Sequence, residues 1–135
     1  AEAIAVLEGG TAPVRPGRRA LETSQDRLVE KDFLAGLGLQ TAPYRTVDSA
    51  DDLAAALDAI GAPAILKTRR MGYDGKGQAR LQSPADADAA LAAMQDAPAI
   101  LEGFVEFSHE VSVIAIPAKT CMRRAFCGPP PCPRG

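Results

Sequence analysis

A glycine-rich segment between two strand-forming runs most constrains how this chain can fold. The segment MGYDGKGQ, residues 71–78, carries three glycines within six positions and follows AILKT, whose apolar residues predict a strand over Ala64–Thr68. A second strand is predicted directly after it, over Gln78–Leu81. Glycine allows positive φ and a close approach of the backbone to a ligand, and consecutive N–H groups in such a loop can bind an anion.

Two interpretations of this loop stay open on its residues alone. It lies between two strands and lacks the G-x-x-x-x-G-K-[ST] spacing, so it is neither a Walker loop nor a dinucleotide-binding fingerprint. Lys76 at its tip would suit a phosphate group. Equally, the dipeptide Asp74-Gly75 is typical of an ordinary hairpin turn.

Capping residues and hydrophobic periodicity predict the elements on both sides of the loop. An extended connector over 11–19 precedes a helix that Thr23 or Ser24 caps, with Asp26 in its first turn and Gly36 and Gly38 at its end. Next come a strand over Tyr44–Val47 and a helix from Ser49 through Ala59. The two strands that flank the loop follow, then a helix that begins at Ser83 or Pro84, and finally strands over 99–105 and 111–116. This order predicts an α+β fold with a small, mostly antiparallel sheet and helices on one side.

The composition excludes several classes of function. Hydrophobic residues make up 47% of the chain and aromatic residues 4%, with no tryptophan, so aliphatic and alanine side chains must form the core. A net charge of −2 argues against a nucleic-acid partner. No apolar run approaches the roughly 20 residues that span a bilayer, and no secretion signal is visible, so we expect a cytoplasmic protein without a membrane partner. Three cysteines in the last fifteen residues do not form a disulfide framework or a zinc spacing.

Three charged residues in predicted strands are candidates for chemistry. Lys67 directly precedes the glycine loop, where it is either a solvated strand lysine or a phosphate ligand. Glu102 lies in the apolar run ILEGFV, and a carboxylate there needs a partner, which a purine amino group, a ribose hydroxyl or an arginine could provide. Together with Glu110 it would also suit Mg²⁺ or acid–base chemistry. The spacing does not choose among these roles.

Three segments together resemble a known family. They are QDRLVEKDFL with GLQTAPY, then AILKTRRMGYDGKGQ, then ILEGFVEFSHEVSVI, and the resemblance extends from about residue 13 to residue 116. The order and spacing are similar to the ATP-grasp superfamily, and within it to the 5-(carboxyamino)imidazole ribonucleotide synthases. The loop GYDGKGQ is the most specific part, because other ATP-grasp proteins commonly carry Ser or an extra Gly in place of Tyr73 and Asp74.

The resemblance implies a fold and an activity. Residues 1–40 would be a connector and helix leading into the lid, 41–116 the ATP-grasp lid subdomain, and 117–135 a tail outside the family pattern. The family joins bicarbonate to the amino group of aminoimidazole ribonucleotide and converts ATP to ADP and phosphate. ATP and Mg²⁺ are the implied cofactors, with the metal ligands expected in a C-terminal domain beyond this chain. We therefore expect a fragment without turnover of its own, and the resemblance is compatible with a homodimer of the full-length enzyme.

The resemblance also implies roles for individual residues, although none of them is assigned as catalytic. Arg27 and Lys67 would contact the phosphates of ATP, and Lys67 the purine edge as well. Lys31 lies in the matching helix without an assigned contact. The loop that would fold over the β- and γ-phosphates comprises Gly72, Tyr73, Asp74, Gly75, Lys76, Gly77 and Gln78. Adenine would be lined, partly through backbone groups, by Glu102, Gly103, Phe104 and Val105, and Glu110 would bind the ribose hydroxyls.

Two rival functions remain. One is a truncated, non-catalytic module that binds a nucleotide. The other is a different ATP-grasp carboxylase or a formate-using transformylase, against which Tyr73 and Asp74 argue.

Overall fold

The computed structural model describes residues 16–71, 77–111 and 113, and it divides the chain into two units. The first unit extends to Val105. Its elements are α1 (Arg18–Ser24), α2 (Arg27–Gly36), β1 (Tyr44–Val47), α3 (Ala50–Ile60), β2 (Ala64–Thr68), β3 (Gln78–Leu81), a 3₁₀ turn (Pro84–Asp86), α4 (Ala87–Ala93) and β4 (Ala99–Gly103). The second unit begins at Glu106, and its described residues, 106–111 and 113, form no helix or strand. Within the described ranges, no helix combines the length and hydrophobicity needed to cross a membrane.

The four strands form one antiparallel sheet in the order β1-β4-β2-β3. Strand β4 lies between β1 and β2 and pairs with both. The predicted α+β class is confirmed, and the first three strands have the predicted bounds. The fourth ends at Gly103, two residues before the predicted end. The predicted strand over 111–116 lies mainly outside the described residues, and Val111 and Val113, which are described, are exposed and not in a strand.

The core lies between one face of the sheet and helices α3 and α4. Along β2 the side chains of Ala64, Leu66 and Thr68 are buried in alternation, as expected for a strand with one core face. The full cluster is aliphatic and small, as the composition predicts: Val47, Leu53, Ala56, Leu57, Ala64, Leu66, Leu81, Ala90, Met94, Ala99 and Leu101. The opposite face of the sheet carries Lys67 and Glu102, and helix α2 reaches this face through Lys31.

Local capping explains where two of the helices begin. Ser49 is the N-cap of α3, and its hydroxyl accepts a hydrogen bond from the N–H of Asp52 at 3.1 Å. Gly61 ends the same helix, as predicted. Ser83 is the N-cap of the 3₁₀ turn that leads into α4, and the Asp86 carboxylate accepts hydrogen bonds from the N–H groups of Gln82 and Ser83, each at 2.9 Å. The predicted starts of both helices are therefore confirmed.

The start of α2 differs from the sequence prediction. Residues 18–24 form a separate helix, so the connector prediction is wrong for Arg18 and Arg19, and Thr23 and Ser24 lie inside α1. The N-cap of α2 is instead Asp26, whose side chain accepts a hydrogen bond from the N–H of Leu28 at 3.0 Å. Tertiary contacts decide this start, because Asp26 is buried beside two arginines that lie far away in the sequence.

Asp26 ties the start of α2 to the end of β2. Its two carboxylate oxygens accept hydrogen bonds from Arg69, Nε to Oδ1 at 3.1 Å and Nη2 to Oδ2 at 2.8 Å, and Arg70 Nε donates to Oδ2 at 3.1 Å. Burial raises the pKa of Asp26, but the hydrogen bonds from Arg69, Arg70 and the Leu28 N–H together lower it further, so the net pKa lies below its ordinary value. The ionised carboxylate is therefore the form that the fold stabilises.

Replacing Asp26 with Asn should lower the free energy of unfolding by about 1.5–3 kcal/mol at pH 7, the range for hydrogen bonds to a charged group. Because folding lowers the pKa of Asp26, its contribution is complete above the unfolded value of about 3.9 and is lost as the pH falls through the folded pKa. Urea denaturation across pH 2 to 7 should show the gap between the wild-type chain and Asp26→Asn closing in acid.

Asp58→Asn is the matched control, since Asp58 is an exposed carboxylate on α3. It should change the free energy of unfolding by less than about 0.5 kcal/mol. A gap between wild type and Asp26→Asn that stays constant down to pH 2 would contradict this account.

Gly77 closes the glycine loop onto β2 in a position that no other residue fits. Its φ is +71°, and a Cβ added there would lie 2.7 Å from Thr68 Oγ1. Its carbonyl oxygen also accepts a hydrogen bond from the N–H of Thr68 at 2.8 Å. The return of the loop therefore requires both the left-handed backbone and the missing side chain.

Gly77→Ala should destabilise the chain more than Gly38→Ala, because Gly38 also has positive φ but a Cβ there would meet open space. Backbone strain in Gly38→Ala should lower the free energy of unfolding by about 1–2 kcal/mol. Gly77→Ala should lower it by roughly a further 1–3 kcal/mol, because the added methyl group overpacks against Thr68. In a Thr68→Ala background, the extra cost of Gly77→Ala should shrink, as a double-mutant cycle by urea denaturation would measure. Strictly additive effects of the two substitutions would refute the predicted clash.

Candidate functional site

A lysine–glutamate pair lies on the face of the sheet that is turned away from α3 and α4, which is called the outer face below. Lys67 Nζ donates a hydrogen bond to Glu102 Oε2 at 3.0 Å. The alternation of β2 that buries Leu66 turns Lys67 to this face, and the β2–β4 register sets Ile65 opposite Glu102, so Lys67 is its diagonal neighbour. Side-chain exposures of 24% and 12% show that both charges are largely shielded from water. The pair satisfies the requirement that a buried carboxylate have a partner.

A second lysine completes the site, and sequence reasoning assigned it no contact. Lys31 Nζ lies 3.6 Å from Glu102 Oε1, so each carboxylate oxygen has a lysine beside it. Among the described residues, the partners of Glu102 thus include two lysines, which the three alternatives did not name. A signal for Lys31 exists in the sequence, because it lies four residues after Arg27, on the same face of α2.

Arg27 lies at the end of β2, next to the strand position that carries Lys67. Its Nη1 donates a hydrogen bond to the carbonyl oxygen of Thr68 at 2.7 Å, and its backbone N–H donates to the carbonyl oxygen of Arg69 at 3.0 Å. The structure thus places Arg27 against Thr68, the residue that follows Lys67, and these are the two cations expected near a phosphate. Part of the Arg27 guanidinium is committed to the main chain of β2.

The ends of the glycine loop lie beside this strand. Gln78 pairs with Lys67 in the β2–β3 register. A cavity of about 780 Å³ borders both the start of the loop at Met71 and its return at Gly77, and Arg69 and Arg70 contribute to its wall. The candidate residues Gly72, Tyr73, Asp74, Gly75 and Lys76 lie outside the described residues.

At the end of β4 and just after it, two backbone N–H groups already make hydrogen bonds within the chain. The N–H of Gly103 donates to the carbonyl oxygen of Pro43 at 2.9 Å, and that of Phe104 to the carbonyl oxygen of Pro63 at 3.1 Å. The Arg80 guanidinium lies 4.2 Å from the centre of the Phe104 ring, in a cation–π arrangement. Backbone recognition of a base by this segment would therefore use its other polar groups. Val105, which follows, is half-exposed.

Glu110 belongs to the second unit, where it is exposed.

The described residues do not fit a Mg²⁺ site. Among residues 16–71, 77–111 and 113, no group of three or more His, Cys, Asp or Glu side chains could hold a metal ion. Glu102 is the carboxylate at the centre of the site, and its two oxygens face lysines, which would compete with a cation.

Comparisons with known proteins agree with the motifs. The N5-carboxyaminoimidazole ribonucleotide synthase of Brucella melitensis is 60% identical over 107 residues, which cover 78% of this chain and 30% of that protein. The synthase of Pseudomonas aeruginosa is 47% identical over 119 residues, covering 88% of this chain and 33% of that protein. The crystal structure of the corresponding synthetase from Thermus thermophilus superposes with a TM-score of 0.70 at 46% identity, covering 79% of this chain and 28% of that one.

The chain spans about a third of the length of the curated relatives that it matches. A family model described as the ATP-grasp domain matches residues 32–128, which is more than half of the chain. The antiparallel sheet and the lysine strand beside a glycine loop lie within that match. The chain therefore belongs to the ATP-grasp family.

Proposed function

We propose that this chain is the nucleotide-binding lid of an enzyme that carboxylates aminoimidazole ribonucleotide with bicarbonate and ATP, a step of purine biosynthesis. The observation that carries the proposal is the pair Lys67–Glu102 on the outer face of the sheet, where Lys67 lies opposite Gln78, the last residue of the glycine loop. The 60% identity to the Brucella melitensis synthase supports the choice of substrate within the ATP-grasp family. No described feature favours a formate-using relative.

The charges of the site suit a triphosphate and a purine. Lys67 offers a compact positive charge that would move from Glu102 to a phosphate oxygen when the nucleotide binds. Glu102 would then accept a hydrogen bond from the base or the ribose. Arg27 would add positive charge at the same end of β2. The loop residues from Gly72 to Gln78 would cover the β- and γ-phosphates, the segment from Glu102 to Val105 would line the base, and Glu110 would bind ribose hydroxyls.

The chemistry that this site would serve is the activation of bicarbonate, a poor electrophile. An oxygen of bicarbonate attacks the γ-phosphorus of ATP, the bond from that phosphorus to the ADP oxygen breaks, and carboxyphosphate forms. The amino nitrogen of the ribonucleotide then attacks the carboxyl carbon, the bond from that carbon to the phosphate oxygen breaks, and inorganic phosphate leaves with the proton that the amino group loses. The contribution of the lid is to bind and orient the phosphates and to exclude water from the unstable intermediate.

Excess ATP should raise the unfolding free energy of the 135-residue chain. The gain is about 2.7 kcal/mol when the ligand is at 100 times its dissociation constant. Lys67→Met should abolish most of this gain, because the substitution keeps the aliphatic stem and removes the charge that would meet phosphate. Thermal unfolding with and without ATP measures both effects.

Arg45→Met is the matched control for loss of one positive charge. Arg45 is exposed on β1, where its guanidinium donates to the carbonyl oxygen of Tyr44. This variant should retain the full ATP-dependent gain. An equal gain in the wild-type chain and in Lys67→Met would contradict the assignment of Lys67.

A chimera tests the substrate. Exchanging the matching segment of the Brucella melitensis synthase for residues of this chain should preserve ADP release that depends on aminoimidazole ribonucleotide and bicarbonate, since the two segments are 60% identical. Lys67→Met in the chimera should lower kcat/KM by at least tenfold, roughly the effect of losing one charged contact to phosphate. We expect no such turnover from the 135-residue chain alone, because its described residues provide no group for Mg²⁺.

A chimera that folds but releases no ADP would overturn the substrate assignment. ADP release that depends on formate instead of bicarbonate would favour the transformylase alternative.

A further inference from the structure

Lys31 is the one member of the outer-face charge cluster to which the proposed function gives no role. Its side chain is 13% exposed, although lysine is almost never buried unless it is paired. Its Nζ lies 3.6 Å from Glu102 Oε1 and 5.3 Å from the centre of the Tyr44 ring. The cost of burying this ammonium group is therefore offset by a carboxylate and by an aromatic face.

The two lysines do not hold Glu102 equally. Lys67 makes a hydrogen bond at 3.0 Å, whereas the 3.6 Å separation from Lys31 is an ion pair without a hydrogen bond. Each lysine faces a different carboxylate oxygen. If Lys67 turns to a phosphate group, Glu102 loses its closest partner, and Lys31 is the cation that stays beside it.

Helix α2 and strand β1 hold Lys31 in this position. The Tyr44 hydroxyl donates a hydrogen bond to Asp32 Oδ1 at 2.7 Å, which joins the α2 turn that carries Lys31 to strand β1. Tyr44 in turn lies opposite Glu102 in the β1–β4 register. The ammonium group of Lys31 is thus fixed near Glu102 by contacts that do not involve Lys67.

We propose that Lys31 is a positioning residue for the base of the nucleotide. It keeps the Glu102 carboxylate directed to the outer face when Lys67 binds phosphate, so that Glu102 accepts a hydrogen bond from the exocyclic amino group of adenine. This inference rests on the proposed nucleotide site. Lys31 would then contribute to the preference for adenine over other bases. A lysine that only holds α2 against the sheet would make no such contribution.

The discriminating measurement is the ratio of the dissociation constants of ITP and ATP, obtained by calorimetry on the full 135-residue chain. ITP carries a carbonyl group where ATP carries the amino group, so two acceptors would face each other at Glu102. We expect the wild-type chain to bind ATP at least tenfold more tightly than ITP, roughly the effect of one hydrogen bond to a charged group. Lys31→Met should weaken ATP binding by about tenfold and bring the ratio close to one.

Two further variants separate positioning from folding. Lys31→Arg restores a cation and should recover most of the preference for ATP, and Arg45→Met should leave the ratio unchanged. If Lys31→Met does not unfold cooperatively, Lys31→Gln replaces it, with the same expected ratio.

Three results would overturn the inference. Equal weakening of ATP and ITP in Lys31→Met would show a structural role only. Wild-type affinities in the same variant would show no role. A wild-type chain that binds neither nucleotide would refute the proposed function itself, and the inference with it, which distinguishes that failure from the other two.

Discussion

The hydrogen bond between Lys67 and Glu102 forms because successive side chains of strand β2 point to two chemically different faces of the sheet. Its even-numbered positions, Ala64, Leu66 and Thr68, are buried against the helices, so the intervening Lys67 must point to the other side. The central strand β4 brings Glu102 to the same side through its register with β2. Core packing and the placement of the charges are therefore one constraint, and a register slip of one residue would destroy both.

Two groups of charges share partners, one on the outer face of the sheet and one at the end of β2. Two lysines share one carboxylate, and Asp26 is shared by Arg69 and Arg70 at the end of β2. The Lys67–Glu102 pair is a weak source of stability, because desolvation of the two charges offsets much of their attraction. The Lys67–Glu102 pair is suited instead to exchange of partners, because a phosphate can replace the carboxylate beside Lys67 while Lys31 remains beside Glu102.

Much of the site follows from residue type and spacing. Lys67 and Glu102 stand out as charges in apolar runs, and Arg27 enters through the family pattern. Lys31 has a weaker signal, its position four residues after Arg27, because a lysine on an amphipathic helix is usually solvated. Its contact with Glu102 is what places it in the site. The nucleotide-binding roles of all these residues, and those of the loop from Gly72 to Gln78 and of Glu110, remain predictions from the sequence.

The sequence by itself determined the order of the elements, the bounds of β1, β2 and β3, and the ends of α3 at Ser49 and Gly61. These depend on alternation and on capping bonds between residues that are close along the chain. Only the tertiary structure decided that α2 begins at Asp26 and that α1 is a separate helix. The reason is that the partner of Asp26, Arg69, lies 43 residues away, so the burial that makes this cap favourable has no local signal.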